Sequence, residues 1–166
     1  MVFDSLSNDL GGFNEIITRN ALDGVIEKSD VFCLLNHDKS KGVLARSNKG
    51  TGSLTLEIDG KGLKYRFEAP KTALGDELLE GLRRGDISAS SFAFTVGSDS
   101  WEKREDGSYL RTINSIKELF DVSPVYRPAY SATSVDTRGL ALLRVNEQQD
   151  DFYKELESNI TTRTQC

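Results

Sequence analysis

The chain has 166 residues, 37% of them hydrophobic with 14 glycines besides, the size and apolar content of one folded domain around a single core. Its net charge of −5 and pI near 5.0 argue against a nucleic-acid surface, which is marked by a clustered excess of Lys and Arg. No run approaches the roughly 20 apolar residues needed to cross a bilayer. The opening Met1-Val2-Phe3-Asp4 also lacks the basic-then-apolar order of a secretory signal, so an intracellular protein is expected, with neither nucleic acid nor membrane as partner.

Met1 to Gly12 is polar and turn-rich, with Gly11-Gly12 closing a loop. Phe13 to Thr18 reads as a short strand. Asn20 is placed to cap a short helix through Ala21, Leu22, Val25 and Ile26. Val31 to Asn36 is a compact apolar run, read as a buried strand, and His37 follows at its end. Val43–Arg46, Ser53–Ile58 and Leu63–Ala69 read as short strands of an antiparallel meander, with a hairpin at Asp59-Gly60-Lys61-Gly62. After Pro70, Thr72 opens a helix in which Leu74, Leu78, Leu79 and Leu82 recur at helical spacing. Arg83 and Arg84 complement its C-terminal dipole and Gly85 caps it.

The next stretch, Ile87 to Val96, is strand-like. Its alternation puts Ser91 on one face with Ala89 and Ala93, and Ser90, Phe92 and Phe94 on the other. Trp101–Lys103 and Tyr109–Ile113 flank a second hairpin at Glu105-Asp106-Gly107, and Ile116–Val125 is the last strand. Many short strands with two helical inserts predict a mainly β fold with helices: a small β-barrel or strongly curved sheet. Beyond Tyr130 the composition turns polar. The expected division is a β domain over residues 1–138 and a flexible or partner-ordered tail over 139–166.

His37 is the sole histidine, so any imidazole chemistry must use it. An unperturbed imidazole already titrates near the pH at which a general base works, about 6.5. Serine needs such a base within hydrogen-bond reach, and the base needs an orienting group on its other nitrogen. Ser91, between two alanines, has room for a substrate carbonyl; on pattern alone it reads first as the outward serine of a half-buried strand. Asp121 is a charge inside the apolar run Leu119–Val122, where burial is costly without a partner. Glu118 and Asp38 are the other acids that could serve. Cys33 and His37, about 13 Å apart along one strand, cannot act as a pair. One histidine and two distant cysteines make no usual zinc site, and the glycines form no phosphate-binding loop. The expectation is therefore no metal and no cofactor.

Four stretches in order carry a resemblance: Gly12-Phe13-Asn14-Glu15-Ile16-Ile17, Leu34-Leu35-Asn36-His37-Asp38, Gly85 to Phe94 with its Ser91-Phe92-Ala93-Phe94, and Leu119-Phe120-Asp121-Val122-Ser123-Pro124-Val125 running into Arg127-Pro128-Ala129-Tyr130. Together they resemble the prohead (capsid maturation) serine proteases of tailed bacteriophages, which are similar in fold to the herpesvirus assemblin proteases. The resemblance implies a closed or partly open antiparallel β-barrel decorated by helices, and a catalytic set of His37, Ser91 and Asp121. It implies a serine endopeptidase that cleaves scaffold polypeptide and the major capsid protein, and its own chain, inside assembling proheads in the bacterial cytoplasm. It also implies a homo-oligomer and an oxyanion loop near Arg127. The chain departs from the family's usual pattern in having Asp121 where Glu is common and Ala93 where Gly is common, and in opening almost directly on the Gly12-Phe13 stretch. An esterase with the same triad, and an inactive capsid- or scaffold-binding β domain, are the rival readings.

Overall fold

The structure is a computed structural model, and residues 1–126 are described. Eight strands and one α-helix follow in order: β1 Phe13–Ile17, β2 Asp30–Cys33, β3 Ala45–Asn48, β4 Thr51–Gly52, β5 Thr55–Ile58, β6 Leu63–Arg66, α1 Ala73–Arg84, β7 Ala89–Lys103 and β8 Tyr109–Val125. The mainly β reading holds, but the sheet is open and mixed. No closed barrel forms among the described residues.

β8 organises the sheet. One edge pairs antiparallel with β7 along its length, from Lys103↔Tyr109 to Ala89↔Val125. The other edge takes β1 in parallel, Phe13↔Tyr109 to Ile17↔Ile113, and then β2, also parallel, at Phe32↔Asp121. β3 continues antiparallel on β2, and β4 on β3. The expected antiparallel barrel fails at β1 and β2, which pair with β8 in parallel, whereas the stretch read as a meander keeps its antiparallel neighbours, β3 with β4 and β5 with β6. Hairpin signals specify only neighbours in sequence. Parallel pairs are joined by long crossovers that leave no local signature.

β5 and β6 form a separate hairpin, closed where Asp59 accepts from the amides of Lys61 and Gly62. The N-terminal segment lies along it: Val2 bridges Gly62 and the Phe3 amide donates to the Lys61 carbonyl. The β7–β8 hairpin is longer than expected. The strand expected to end at Val96 runs on: Gly97 is left unpaired as a bulge within β7, Ser98 pairs with Ser115, and further register shifts follow Ala93, Thr95 and Ser98. Such bulges coil a long two-stranded ribbon without ending it.

The helix at Thr72 is as expected. Thr72 Oγ1 accepts from the Gly75 amide, and Gly85 ends the helix in the left-handed conformation, φ 79°. The shorter helix is not formed. Arg19–Leu22 is a 3-10 turn, and turns follow through Lys28 because Gly24 adopts φ 65°, outside helical space. Its apolar positions are still used, since Ala21, Leu22, Val25 and Ile26 are buried. The core they join includes Val31, Cys33, Leu35, Ile113, Leu119 and Val122. The predicted tail lies outside the described residues.

Candidate active site

The last five residues of β8, Asp121 to Val125, are all buried. Alternation along the strand sends Asp121 and Ser123 to one face and Val122 and Pro124 to the other. Asp121 and Ser123 are thus polar groups in a dry environment, where each needs a partner. The partner of Asp121 is His37: Nδ1 lies 2.6 Å from Asp121 Oδ1. Ser123 donates to the same carboxylate oxygen at 2.7 Å and accepts from the Leu34 amide at 3.3 Å.

The chain reaches this position through a tight turn. Leu34 and Leu35 are fully buried, which anchors the end of β2. Asn36 and His37 then both take left-handed backbone conformations, φ 54° and 60°. Such residues cost of order 1–3 kcal/mol each and collect at functional sites. The turn is held by the Asn36 amide on the Pro124 carbonyl, 2.9 Å, and the Asp38 amide on the Leu35 carbonyl, 3.1 Å. Asp38 is committed elsewhere, accepting from the Ser40 amide and hydroxyl; those bonds, the hydroxyl first, hold its carboxyl below the usual range. Glu118 is exposed on β8. Of the three acids considered, Asp121 is the one that touches the imidazole.

With Nδ1–H donated to Asp121, the neutral ring carries its lone pair on Nε2. That atom is buried and has no hydrogen-bond partner among the described residues, an unusual state for a buried nitrogen. On β7, Ser91 stands directly opposite Ser123 of β8, and Ala93 opposite Asp121. In an antiparallel ladder opposed residues share a face, so Ser91, Ala93, Asp121 and Ser123 lie on one face, with Ala93 the small residue opposite the carboxylate. Ser91 is half-buried. No Ser91–His37 hydrogen bond is formed; in substrate-free enzymes this contact is commonly long and tightens on binding. Ser90, on the opposite face, is exposed and bonded to the Tyr65 hydroxyl at 2.8 Å.

The β-bulge beside the site matters for aim. Pairing passes from Ala93↔Asp121 to Phe94↔Leu119, leaving Phe120 unpaired and 37% exposed. Phe94 stacks on Phe92 with ring centroids 5.6 Å apart, and both pack on the core. Cys33 is fully buried. Burial, with the Asp121 charge second, pushes its thiol up to about 12, so it is no nucleophile at neutral pH.

Ser123 is the site residue that sequence reasoning passed over. Its signal was the spacing Asp121-x-Ser123, which on a strand places a hydroxyl beside a carboxylate. Arg127, considered for the oxyanion loop, lies outside the described residues.

A strand-borne serine on the same sheet face as a histidine that a buried carboxylate orients can carry acyl transfer of the serine-hydrolase kind. A family model described as Caudovirus prohead serine protease matches residues 1–148, and the chain belongs to that family. Membership implies a serine peptidase of capsid maturation. No curated protein and no solved structure matches the chain.

Proposed function

We propose that the chain is a serine endopeptidase in which Ser91 is the nucleophile, His37 the general base and Asp121 the orienting carboxylate. The observation that carries this reading is the His37–Asp121 hydrogen bond of 2.6 Å, which leaves Nε2 without a partner among the described residues, the carboxylate lying on the sheet face that bears Ser91. Nε2 takes the Ser91 proton as Oγ attacks the scissile carbonyl, and Asp121 stabilises the imidazolium that results. Collapse of the tetrahedral intermediate breaks the C–N bond, and the same proton passes from Nε2 to the leaving amine. Water, deprotonated by His37, then hydrolyses the acyl-enzyme and restores Ser91.

The substrates in this reading are scaffold polypeptide and the major capsid protein, with the chain's own C-terminal segment as a further one. An extended, unprotected backbone is what an endopeptidase cleaves, and a short tether gives an attached segment a local concentration in the millimolar range. Work as a homo-oligomer inside the assembling prohead belongs to the same proposal. The test is co-expression of the chain with the capsid and scaffold proteins of its phage. Wild type should shorten at least one of them, and Ser91→Ala should leave all at full length. Equal processing by both would remove Ser91 from the mechanism.

A further inference from the structure

Four leucines mark the apolar face of α1, yet they divide in the structure. Leu78 is buried and Leu74 packs partly on the core, whereas Leu79 and Leu82 are 53% and 48% exposed. Leu82 edges a groove of about 270 Å³ between α1, the end of β6 and the start of β7, walled by Tyr65, Phe67, Leu78 and Pro124. Leu79 lines its continuation past Phe67 and Ala69. The wall is fixed. A Cβ on Gly81 would come within 2.6 Å of Ile87 Cδ1, so the last turns of α1 lie close on the residue that leads into β7.

The groove opens beside the proposed nucleophile. Ser88, Ala89 and Ser90 line it and run directly into Ser91. Pro124, opposite Ser90, gives its carbonyl to the turn that carries His37. α1 is tied to that turn as well: Glu77 accepts from Lys41 at 2.9 Å and from the Tyr126 hydroxyl at 3.2 Å. Among the described residues β7 has β8 on one edge and no strand on the other. An extended polypeptide laid along that free edge alternates its side chains between the two faces. One face bears Ser91. The other bears Ser90 and the groove.

We propose that this groove is a specificity subsite, taking one large aliphatic or aromatic side chain of the polypeptide cleaved at Ser91. Size supports a single side chain, since pockets for whole ligands run from roughly 300 to 1,000 Å³. Chemistry supports an apolar one: leucine, phenylalanine and proline wall the groove, the Tyr65 and Ser90 hydroxyls satisfy each other, and the third hydroxyl, that of Ser88, belongs to an exposed residue open to water. The proposal rests on Ser91 as nucleophile, so its test is made independent of turnover.

The full-length Ser91→Ala protein is used to select binders from a random peptide library, with and without Leu82→Glu. Leu82 is half exposed, so the charge is tolerated by the fold, which circular dichroism verifies. The selected peptides should be enriched on the order of tenfold for Leu, Ile, Met or Phe at one fixed position, the scale of discrimination that an apolar pocket provides. Leu82→Glu should erase that enrichment and shift the position toward Lys and Arg. No apolar enrichment, or enrichment indifferent to Leu82→Glu, overturns the proposal. Labelling of the wild type by a serine-reactive fluorophosphonate is read beside it. A labelled Ser91 without enrichment sinks the groove alone, whereas Leu82-dependent enrichment with Ser91 unlabelled sinks the nucleophile and leaves a peptide-binding groove.

Discussion

His37 Nδ1 and Asp121 Oδ1 stand 2.6 Å apart, joining the turn after β2 to the buried end of β8. A short bond between an imidazole and a carboxylate in a dry site fixes both the ring's orientation and its tautomer. In the proposed mechanism Asp121→Asn offers an amide in place of the carboxylate and forfeits the charge that stabilises the imidazolium. Its kcat on a fixed peptide should fall on the order of 10⁴-fold, against about 10⁶-fold for Ser91→Ala or His37→Ala. The Ser91→Ala/His37→Ala double variant should be hardly worse than either alone, because the set acts as a unit. Additive losses in single-turnover cleavage would mean that the two residues act in separate steps.

Ser123 sets the second bond to Asp121. Ser123→Ala removes the donor at 2.7 Å and strands the Leu34 amide, which now has Ser123 Oγ as its acceptor. A buried donor left unsatisfied costs about 1–3 kcal/mol, so urea unfolding should show a loss of that size. The kcat should drop less than in Asp121→Asn, and Ser123→Thr, which keeps the hydroxyl, should recover part of it. Unchanged stability in Ser123→Ala would make the bond incidental.

The fold was legible wherever the signal was local. Thr72 and Gly85 bracket α1 as their cap chemistry demands, and Asp59-Gly60-Lys61-Gly62 closes the β5–β6 hairpin. The parallel pairing of β8 with β1 and β2 was not legible, since nothing at Phe13 or Phe32 names a partner strand so distant in sequence. Bulges hid in the same way: Gly97 reads as a strand end, yet a Cβ there would meet Ser115 Oγ at 2.7 Å, so glycine marks a close approach of two continuous strands. In the site, His37 and Asp121 stood out as a sole imidazole and a charge in an apolar run. Ser123 did not, because a serine in a strand is costless to write and reveals itself only when its neighbour is found buried.

Cys33 gives the pH dependence a sign. Its thiol is pushed up to about 12 when folded, against about 8.5 for a free cysteine. The folded state therefore holds a proton that the unfolded state releases. The unfolded chain binds fewer protons between those values, so stability falls as pH rises through them. Urea midpoints should decline from pH 9 upward, and less steeply in Cys33→Ala. In the native protein at pH 8, peptide mapping should find Cys33 unalkylated by iodoacetamide and fully alkylated in guanidinium. Rapid native alkylation would show the thiol to be accessible.

α1 is held by a close backbone approach. A Cβ on Gly75 would come 1.9 Å from the Pro70 carbonyl oxygen, a contact that no side-chain rotation relieves. Gly75→Ala should therefore cost about 1–3 kcal/mol in spite of alanine's better helix propensity. Chemical denaturation measures it, and a stabilised variant would mean that the helix docks with more freedom than the structure shows.

Self-processing is read by intact mass. After prolonged incubation the wild type should lose mass from its C-terminal segment, while Ser91→Ala keeps all 166 residues. Equal masses would remove the chain from its own list of substrates and leave the catalytic set untouched.

The central claim, that Ser91 is a nucleophile activated by His37, is met most directly by a fluorophosphonate adduct mapped by tandem mass spectrometry. The account predicts one adduct, on Ser91, lost in Ser91→Ala and strongly slowed in His37→Ala. An adduct on Ser90, or cleavage that persists in Ser91→Ala while Ser91 in the wild type stays unmodified, would contradict it.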